Sequence, residues 1–397
     1  MSLRVRRSFD VVAAYVQHRA VRDDIAQLTS RLVAIDSVNP TLVPGGAGEI
    51  EIARFISGWA REAGLEADVV EGTAGRPSVI VRGRGTGGGR TLLLCGHTDT
   101  VNVEGMVDPH TPRVDGDRLY GRGAYDMKAG LAAALIACRE AAASGLAGDV
   151  VVAAVADEEH ASLGVQEVLR SVRADAAIVT EPTELAVVVA HKGFVWAEIE
   201  VKGRAAHGSR PHLGVDAIVK AGPILSALGK LDVELGERTH HPLLGRGSVH
   251  ASLIGGGVEM SSYPARCVIG IERRTLPGMS VADVEAELES LLERCRLADP
   301  ELTVERRTVL AREPFAVEPD AEIVREVSAA AALNGRSPAI EGASYWADSG
   351  FISAAGISTV LFGPSGAGAH ETEEWVSISD TETVARTLVA TARRLCA

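Results

Sequence analysis

The chain has 397 residues, 46% of them hydrophobic and 23% charged; this excludes a largely disordered or fibrous protein, and the length exceeds what one hydrophobic core supports, so two domains are expected. A formal net charge of -13 repels phosphate backbones and anionic lipid, which argues against nucleic acid and membrane partners and for a small-molecule one. The five cysteines Cys95, Cys138, Cys267, Cys295 and Cys396 are odd in number and form no Cys-x-x-Cys pair, so they suggest neither a disulfide framework nor a thiolate zinc site.

The N-terminal stretch carries Arg4, Arg6 and Arg7 but continues into Ser8-Phe9-Asp10 and a charged helix, unlike the apolar segment of a signal peptide. No apolar run approaches the roughly 20 residues that span a bilayer, and a cytoplasmic protein is expected. Two helical patterns between Val21 and Ala63 are separated by Ser37-Val38-Asn39-Pro40 and the glycines around Gly45-Gly46-Ala47-Gly48, which read as a loop. Short apolar runs follow at 78–81, 91–95, 150–155 and 176–179, with a helix at Leu131–Ala143. Such runs between helices predict an α/β domain with a mostly parallel sheet covered on both faces. Gly83-Arg84-Gly85-Thr86-Gly87-Gly88 spells a dinucleotide fingerprint, yet it leads into a strand where the fingerprint must open a helix. A hairpin turn is expected there instead.

From Phe194 to Val201 and from Cys267 to Glu272 the pattern alternates, as half-exposed antiparallel strands do. With helices at Val215–Leu228 and Val281–Cys295, residues 193–311 read as an α+β domain inserted into a catalytic domain of 1–192 and 312–397. The first architecture resumes at Ser358–Phe362 and closes with a helix from Thr381 to Leu395.

Residues just beyond the carboxyl ends of strands in an α/β sheet face the functional crevice. His97 and Asp99 stand there after one run, Glu158 and Glu159 after another, Glu181 after a third and His370 after a fourth, while Asp126 opens the helix at Leu131. A solitary histidine at a strand end is more often structural, and an acidic helix start satisfies the macrodipole. Convergence of four such ends is harder to explain as separate caps. Two histidines and three carboxylates without cysteine suit Zn²⁺, Co²⁺ or Mn²⁺. Two metals sharing one carboxylate need five protein ligands, the number available in His97, Asp126, Glu159, Glu181 and His370. Such a pair, about 3.5–4 Å apart, activates a bridging water and polarises the carbonyl it attacks. Glu158 is then left as a general base.

Gly-His-Thr-Asp-Thr at 96–100, Gly-Arg-Gly-x-x-Asp-Met-Lys at 121–128, Asp-Glu-Glu at 157–159, Glu-Pro-Thr at 181–183 and Gly-Pro followed by Ala-His-Glu at 363–371 resemble the acetylornithine deacetylase, succinyl-diaminopimelate desuccinylase and glutamate carboxypeptidase family, metallopeptidase family 20. The resemblance covers nearly the whole chain. It implies a zinc-peptidase catalytic domain with an inserted ferredoxin-like domain for dimerisation or as a lid, and hence a homodimer. It implies that Asp126 bridges two divalent metal ions, completed by His97 and Glu181 on one side and by Glu159 and His370 on the other. Asp99 would orient the His97 imidazole, and Glu158 would move the proton. Lys202 to Ser209 is similar to the family's dimerisation segment, which implies an oxyanion role for His207. Glu272 to Pro277 resembles the strand end whose arginine receives a substrate carboxylate, here Arg274 with Arg273 facing the other way. Two departures stand out: Ser261, a candidate substrate contact, occupies a position that is often Asn, and Asp216 replaces another frequent Asn.

The expected activity is hydrolysis of the amide bond of a small N-acyl amino acid or short peptide, acetylornithine-deacetylase-like. Carboxypeptidase or dipeptidase action shares the same residues, because specificity lies in the pocket. A non-catalytic amino-acid or peptide binder would lack ligands or the base, and none is missing.

Overall fold

The computed structural model describes residue 22 and residues 24–397 apart from Thr239; the Arg4, Arg6 and Arg7 segment, Ser8-Phe9-Asp10 and Val21 lie outside the described residues. Two compact units emerge. One is built from residues up to Val189 with Val317–Glu341 and Ala347–Ala397, the other from Ala190–Ala316 with Gly342–Trp346.

In the first unit the chain forms α1 (24–33), α2 (Ile50–Glu62), β1 (Glu66–Val70), β2 (Ser78–Gly83), β3 (Leu92–His97), β4 (Arg113–Asp115), β5 (Arg118–Tyr120), a wide helical turn at Ala124–Lys128, α3 (Ala129–Ala142), β6 (Val150–Val155), α4 (Leu163–Val168), β7 (Ala176–Val179) and β8 (Val187–His191). The second unit contributes β9 (Gly193–Lys202), α5 (Ala217–Glu237), β10 (Ser248–Gly256), β11 (Arg266–Thr275), α6 (Val281–Ala298), β12 (Thr303–Arg312) and β13 (Phe315–Ala316). The chain then returns through α7 (Glu322–Leu333), β14 (Ile340–Ala343), α8 (Ser349–Ala354), β15 (Ser358–Leu361), β16 (Gly366–Ala367), β17 (Trp375–Ser377) and α9 (Ile378–Leu395).

The main sheet of the first unit runs β1-β2-β6-β3-β7-β15-β8. Its centre, β6-β3-β7-β15, is parallel, and antiparallel pairs flank it through β1 and β2 on one side and β8 on the other. Every residue of β3, β6 and β7 is buried, as continuous apolar runs require when helices cover both faces. The expected α/β architecture is borne out, with the parallel order confined to the sheet centre. The glycine stretch after β2 is a turn but not a hairpin, because β6 lies between β2 and β3. It passes over the start of β6: the Gly85 N–H donates to Asp149 Oδ1 at 2.8 Å, and a Cβ on Gly85 would stand 2.4 Å from the Gly148 carbonyl oxygen. Side chains are excluded there by backbone, not by a phosphate.

A small antiparallel sheet, β16-β17-β5-β4, joins residues 118–120 to residues 375–377. It brings the segment before α3 beside the segment carrying His370, although about 250 residues separate them in sequence.

The second unit has the order β10-β11-β9-β12, antiparallel throughout, with α5 and α6 completing the βαββαβ arrangement of a ferredoxin-like domain. One face of β9, through Val195, Ala197, Ile199 and Val201, packs with Ile224, Leu228, Leu288 and Leu291 of the helices. Asp216 caps α5, its Oδ1 accepting the N–H groups of Ile218 and Val219 at 3.0 Å each. Asp and Asn serve equally as N-caps, so this departure is explained.

The alanine-rich α3 is buried on nearly every side and lies close enough to the end of β7 that a Cβ on Gly130 would stand 1.9 Å from the Thr180 carbonyl oxygen. Gly130→Ala is therefore expected to destabilise the protein by about 1–3 kcal/mol despite the helix propensity of alanine, the usual scale of overpacking. Urea unfolding measures this, and a variant as stable as the parent would mean that α3 can move away freely.

Candidate metal centre

The carboxyl ends of the parallel strands and two neighbouring loops bring six dispersed side chains together. β3 ends in His97, the turn after β6 presents Glu158 and Glu159, the loop after β7 presents Glu181, and Asp126 lies in the wide turn before α3. His370 occupies the loop between β16 and β17 with φ of 63°, a left-handed conformation unusual for a side chain larger than glycine.

Asp126 is the centre of this group. Its Oδ1 lies 3.1 Å from His97 Nε2 and its Oδ2 lies 3.3 Å from His370 Nε2. His97 Nε2 is also 3.8 Å from Glu181 Oε1, and His370 Nε2 is 3.1 Å from Glu159 Oε2. Each carboxylate oxygen of Asp126 thus faces a different histidine, and each histidine a different glutamate. Ligands at tetrahedral corners with bonds of about 2.0–2.1 Å are roughly 3.4 Å apart, so these spacings fit two cations sharing Asp126. One ligand atom each from His97, Asp126 and Glu159 falls within 4.8 Å of the others, and the same holds for His97, Glu158 and Glu181. Proximity alone therefore does not separate Glu158 from the ligand set.

The charges agree with this fit. Burial pushes the Glu158, Glu181 and Glu159 carboxyls up, and neighbouring acids add to the effect. Burial acts the same way on Asp126, but hydrogen bonds from His370 and His97 outweigh it and hold that carboxyl far below the usual range. Burial would lower the His97 imidazole, yet Glu181, Asp126 and Glu158 together keep it well above its ordinary value. Hydrogen bonds to Asp126 and Glu159 push His370 up to about 10. The raised imidazoles and glutamates are groups from which divalent cations would displace protons.

The structure differs from expectation in how Asp99 acts. His97 Nδ1 donates to the Asp99 main-chain carbonyl at 3.0 Å, while the Asp99 carboxylate stands 3.6 Å away. That main-chain contact commits Nδ1 and leaves Nε2 facing Asp126, where a cation could take the place of its proton. The carboxylate instead accepts the N–H groups of Glu158 at 3.1 Å and Glu159 at 3.2 Å, and the Asn39 amide at 2.8 Å. It anchors the turn that presents the glutamates.

Sequence reasoning missed the scaffold behind this turn. Asn39 also donates to Asp157 at 3.0 Å. Arg76 grips Glu49 at 2.6 and 2.7 Å and Asp157 at 2.8 Å, all buried. Lys128 is fully buried and donates to the Ile35 carbonyl at 2.8 Å; burial pushes its ammonium down to about 7. Glu374 is buried as well and receives the main chain around Asp126. The adjacent motifs were the only available signal for these residues.

The remaining candidates lie in the second unit. His207 is exposed, its Nδ1 paired with Ser209 Oγ at 2.8 Å. Ser261 joins it through the Gly208 N–H to Ser261 carbonyl bond of 2.7 Å. Arg273 is buried and donates to Glu287 at 2.8 Å, whereas Arg274 points to the other face, paired with Glu272 at 2.6 Å and lying over the Phe194 ring at 5.3 Å.

The sequence profile of peptidase family M20/M25/M40 matches residues 93–394. An acetylornithine deacetylase of Myxococcus xanthus is 31% identical over 365 residues, covering 88% of this chain and 92% of that protein. One from Pectobacterium carotovorum subsp. carotovorum is 33% identical, covering 67% and 72%. Among solved structures, aminopeptidase PepT of Bacillus cereus superposes with a TM-score of 0.76 at 19% identity, covering 95% of this chain and 99% of that one. The Bacillus subtilis YXEP protein, a dinuclear metal-binding peptidase of the M20 family, gives 0.73 at 16% identity, covering 95% and 99%; these two likenesses concern the fold. The match across the motif-bearing segments, with relatives above 30% identity, identifies the chain as a member of peptidase family M20/M25/M40 and a metal-dependent hydrolase of amide bonds.

Proposed function

We propose that the chain is a deacylase of small N-acyl amino acids, similar to acetylornithine deacetylase, with His97, Asp126, Glu159, Glu181 and His370 holding two divalent cations. Zn²⁺ suits the mixed imidazole and carboxylate donors best, with Co²⁺ or Mn²⁺ as substitutes. One observation carries this reading: the two oxygens of Asp126 face two separate histidines. When bound, the cations supply Lewis acidity toward water and the scissile carbonyl.

The side chains do the rest. Glu158, half-buried and pushed toward protonation by its surroundings, is suited to take a proton from the attacking water and return it to the leaving amine. Asp99 holds the turn that aims it. We assign the oxyanion contact to His207, the substrate carboxylate to Arg274, and a polar substrate contact to Ser261. The deacetylase relatives support an acyl amino acid over a peptide.

The same proposal includes a homodimer formed through the second unit. β10 is an edge strand whose Leu253 and Ile254 are 74% and 56% exposed, and an exposed apolar edge is a template for pairing with another chain. A cytoplasmic setting is part of it too: all five cysteines are free, and no helix among the described residues is long and apolar enough to cross a membrane.

Three outcomes are expected. Chelation abolishes hydrolysis, and Zn²⁺, Co²⁺ or Mn²⁺ alone restores it in a screen of N-acetyl, N-succinyl and dipeptide substrates, with the N-acetyl amino acids cleaved best; preference for dipeptides would reassign the enzyme as a peptidase. Glu158→Gln keeps both cations, measured by metal analysis, and lowers kcat by about 10²–10⁴; near-parental turnover removes Glu158 from the mechanism. Leu253→Lys combined with Ile254→Lys yields a monomer in light scattering, whereas an unchanged mass would exclude this edge as the interface.

A further inference from the structure

Glu374 lies directly before β17, buried and four residues after His370. Its carboxylate accepts four hydrogen bonds. Oε1 receives the N–H groups of Tyr125 at 2.8 Å and Asp126 at 3.0 Å, and Oε2 receives Gly123 N–H at 2.9 Å and Arg122 Nη1 at 2.7 Å. Four acceptor positions are the full capacity of a carboxylate. The same Arg122 side chain donates through Nη2 to the Glu371 carbonyl at 2.9 Å and through Nε to the Asn102 carbonyl at 3.0 Å. The Gly121 N–H meets the Glu374 carbonyl at 3.1 Å.

These contacts join two loops distant in sequence, and each loop carries one partner of a close pair. The first loop ends in Asp126 and the second holds His370, whose Nε2 lies 3.3 Å from Asp126 Oδ2. Glu374 touches neither imidazole nor the Asp126 carboxylate. It fixes the main chain on both sides of the gap between them. We propose that Glu374, working with Arg122, is a positioning residue that sets the spacing of Asp126 and His370 and so the affinity for the cation held by Asp126, Glu159 and His370. The other cation, which has Asp126 in common, depends on it less, because His97 and Glu181 lie outside the two loops that Glu374 joins and His97 is referenced to Asp99 at 3.0 Å. This inference rests on the two-cation reading of the centre.

A neutral replacement exposes the mechanism. In either orientation the amide of Glu374→Gln sets an NH₂ group against two donors, the N–H pair of Tyr125 and Asp126 or the pair from Gly123 and Arg122. Both loops must then separate, though the side chain keeps its size.

The test is titration of the metal-free full-length protein with Co²⁺, followed by absorption and by the magnetic coupling of the two ions. The parent is expected to bind two Co²⁺ and to show coupling. Glu374→Gln is expected to keep one ion at parental affinity, to lose about 10–100-fold for the other, the scale for residues that orient ligands, and to lose coupling. Arg122→Lys, which keeps the charge but cannot reach both Glu374 and the Glu371 carbonyl, is expected to shift the same ion by a smaller factor. Parental affinity and coupling in Glu374→Gln overturn the proposal, as does equal weakening of both ions. If Glu374→Gln does not fold, Arg122→Lys decides alone, and parental affinity there is the overturning result. A parent that binds fewer than two ions would instead refute the underlying two-cation reading.

Discussion

The structure depends on keeping four buried or half-buried carboxylates, Asp126, Glu158, Glu159 and Glu181, within a few ångströms of two imidazoles. Like charges at such distances, removed from water, oppose folding unless cations or protons answer them. The protein does not disperse them; it presents them from the turn after β6, the loop after β7 and the wide turn before α3. The Asp99 carboxylate gathers the N–H groups of Glu158 and Glu159, and Asn39 ties Asp99 to Asp157. Arg76 then neutralises the charge behind them through Glu49 and Asp157. The acids are thereby gathered into one cup, and a bound cation would relieve the electrostatic cost of their proximity.

In the proposed reading, specificity draws on a different part of the sequence. His207 and Ser261 share one loop contact in the second unit, and Arg274 lies on the open face of its sheet beside Phe194. None of these groups is needed to hold the cation ligands, so a family can exchange substrates while leaving the strand ends unchanged.

The strand ends were legible because burial on both sheet faces forces continuous apolar runs, and such runs reveal where a strand stops. His97, Glu159 and Glu181 follow those stops directly. Asn39 was not legible in its role, since beside Pro40 it reads as loop punctuation. Glu374 was hidden for a similar reason: in Glu371-Thr372-Glu373-Glu374 it looks like one more solvated acid, and only the pairing of β17 with β5 reveals that it faces inward. The glycines after β2 read as a hairpin because turn chemistry reports local bending, not which strand inserts between its arms. Asp99 was recognised as a supporting residue, but residue type could not tell a contact with an imidazole from one with two peptide groups.

The position of β15 bears on how the molecule is born. This strand lies between β7 and β8 in the sheet of the first unit, yet it is made about 170 residues after them, once the whole second unit has been translated. Until then the growing polypeptide holds a sheet with a missing interior member, while its neighbours wait with unpaired edges. The second unit, contiguous apart from a short later segment, can collapse during that wait. Nascent chains that stall before residue 358 would therefore present an open hydrophobic slot to chaperones, and His370 can reach its companions only after the second unit has been made.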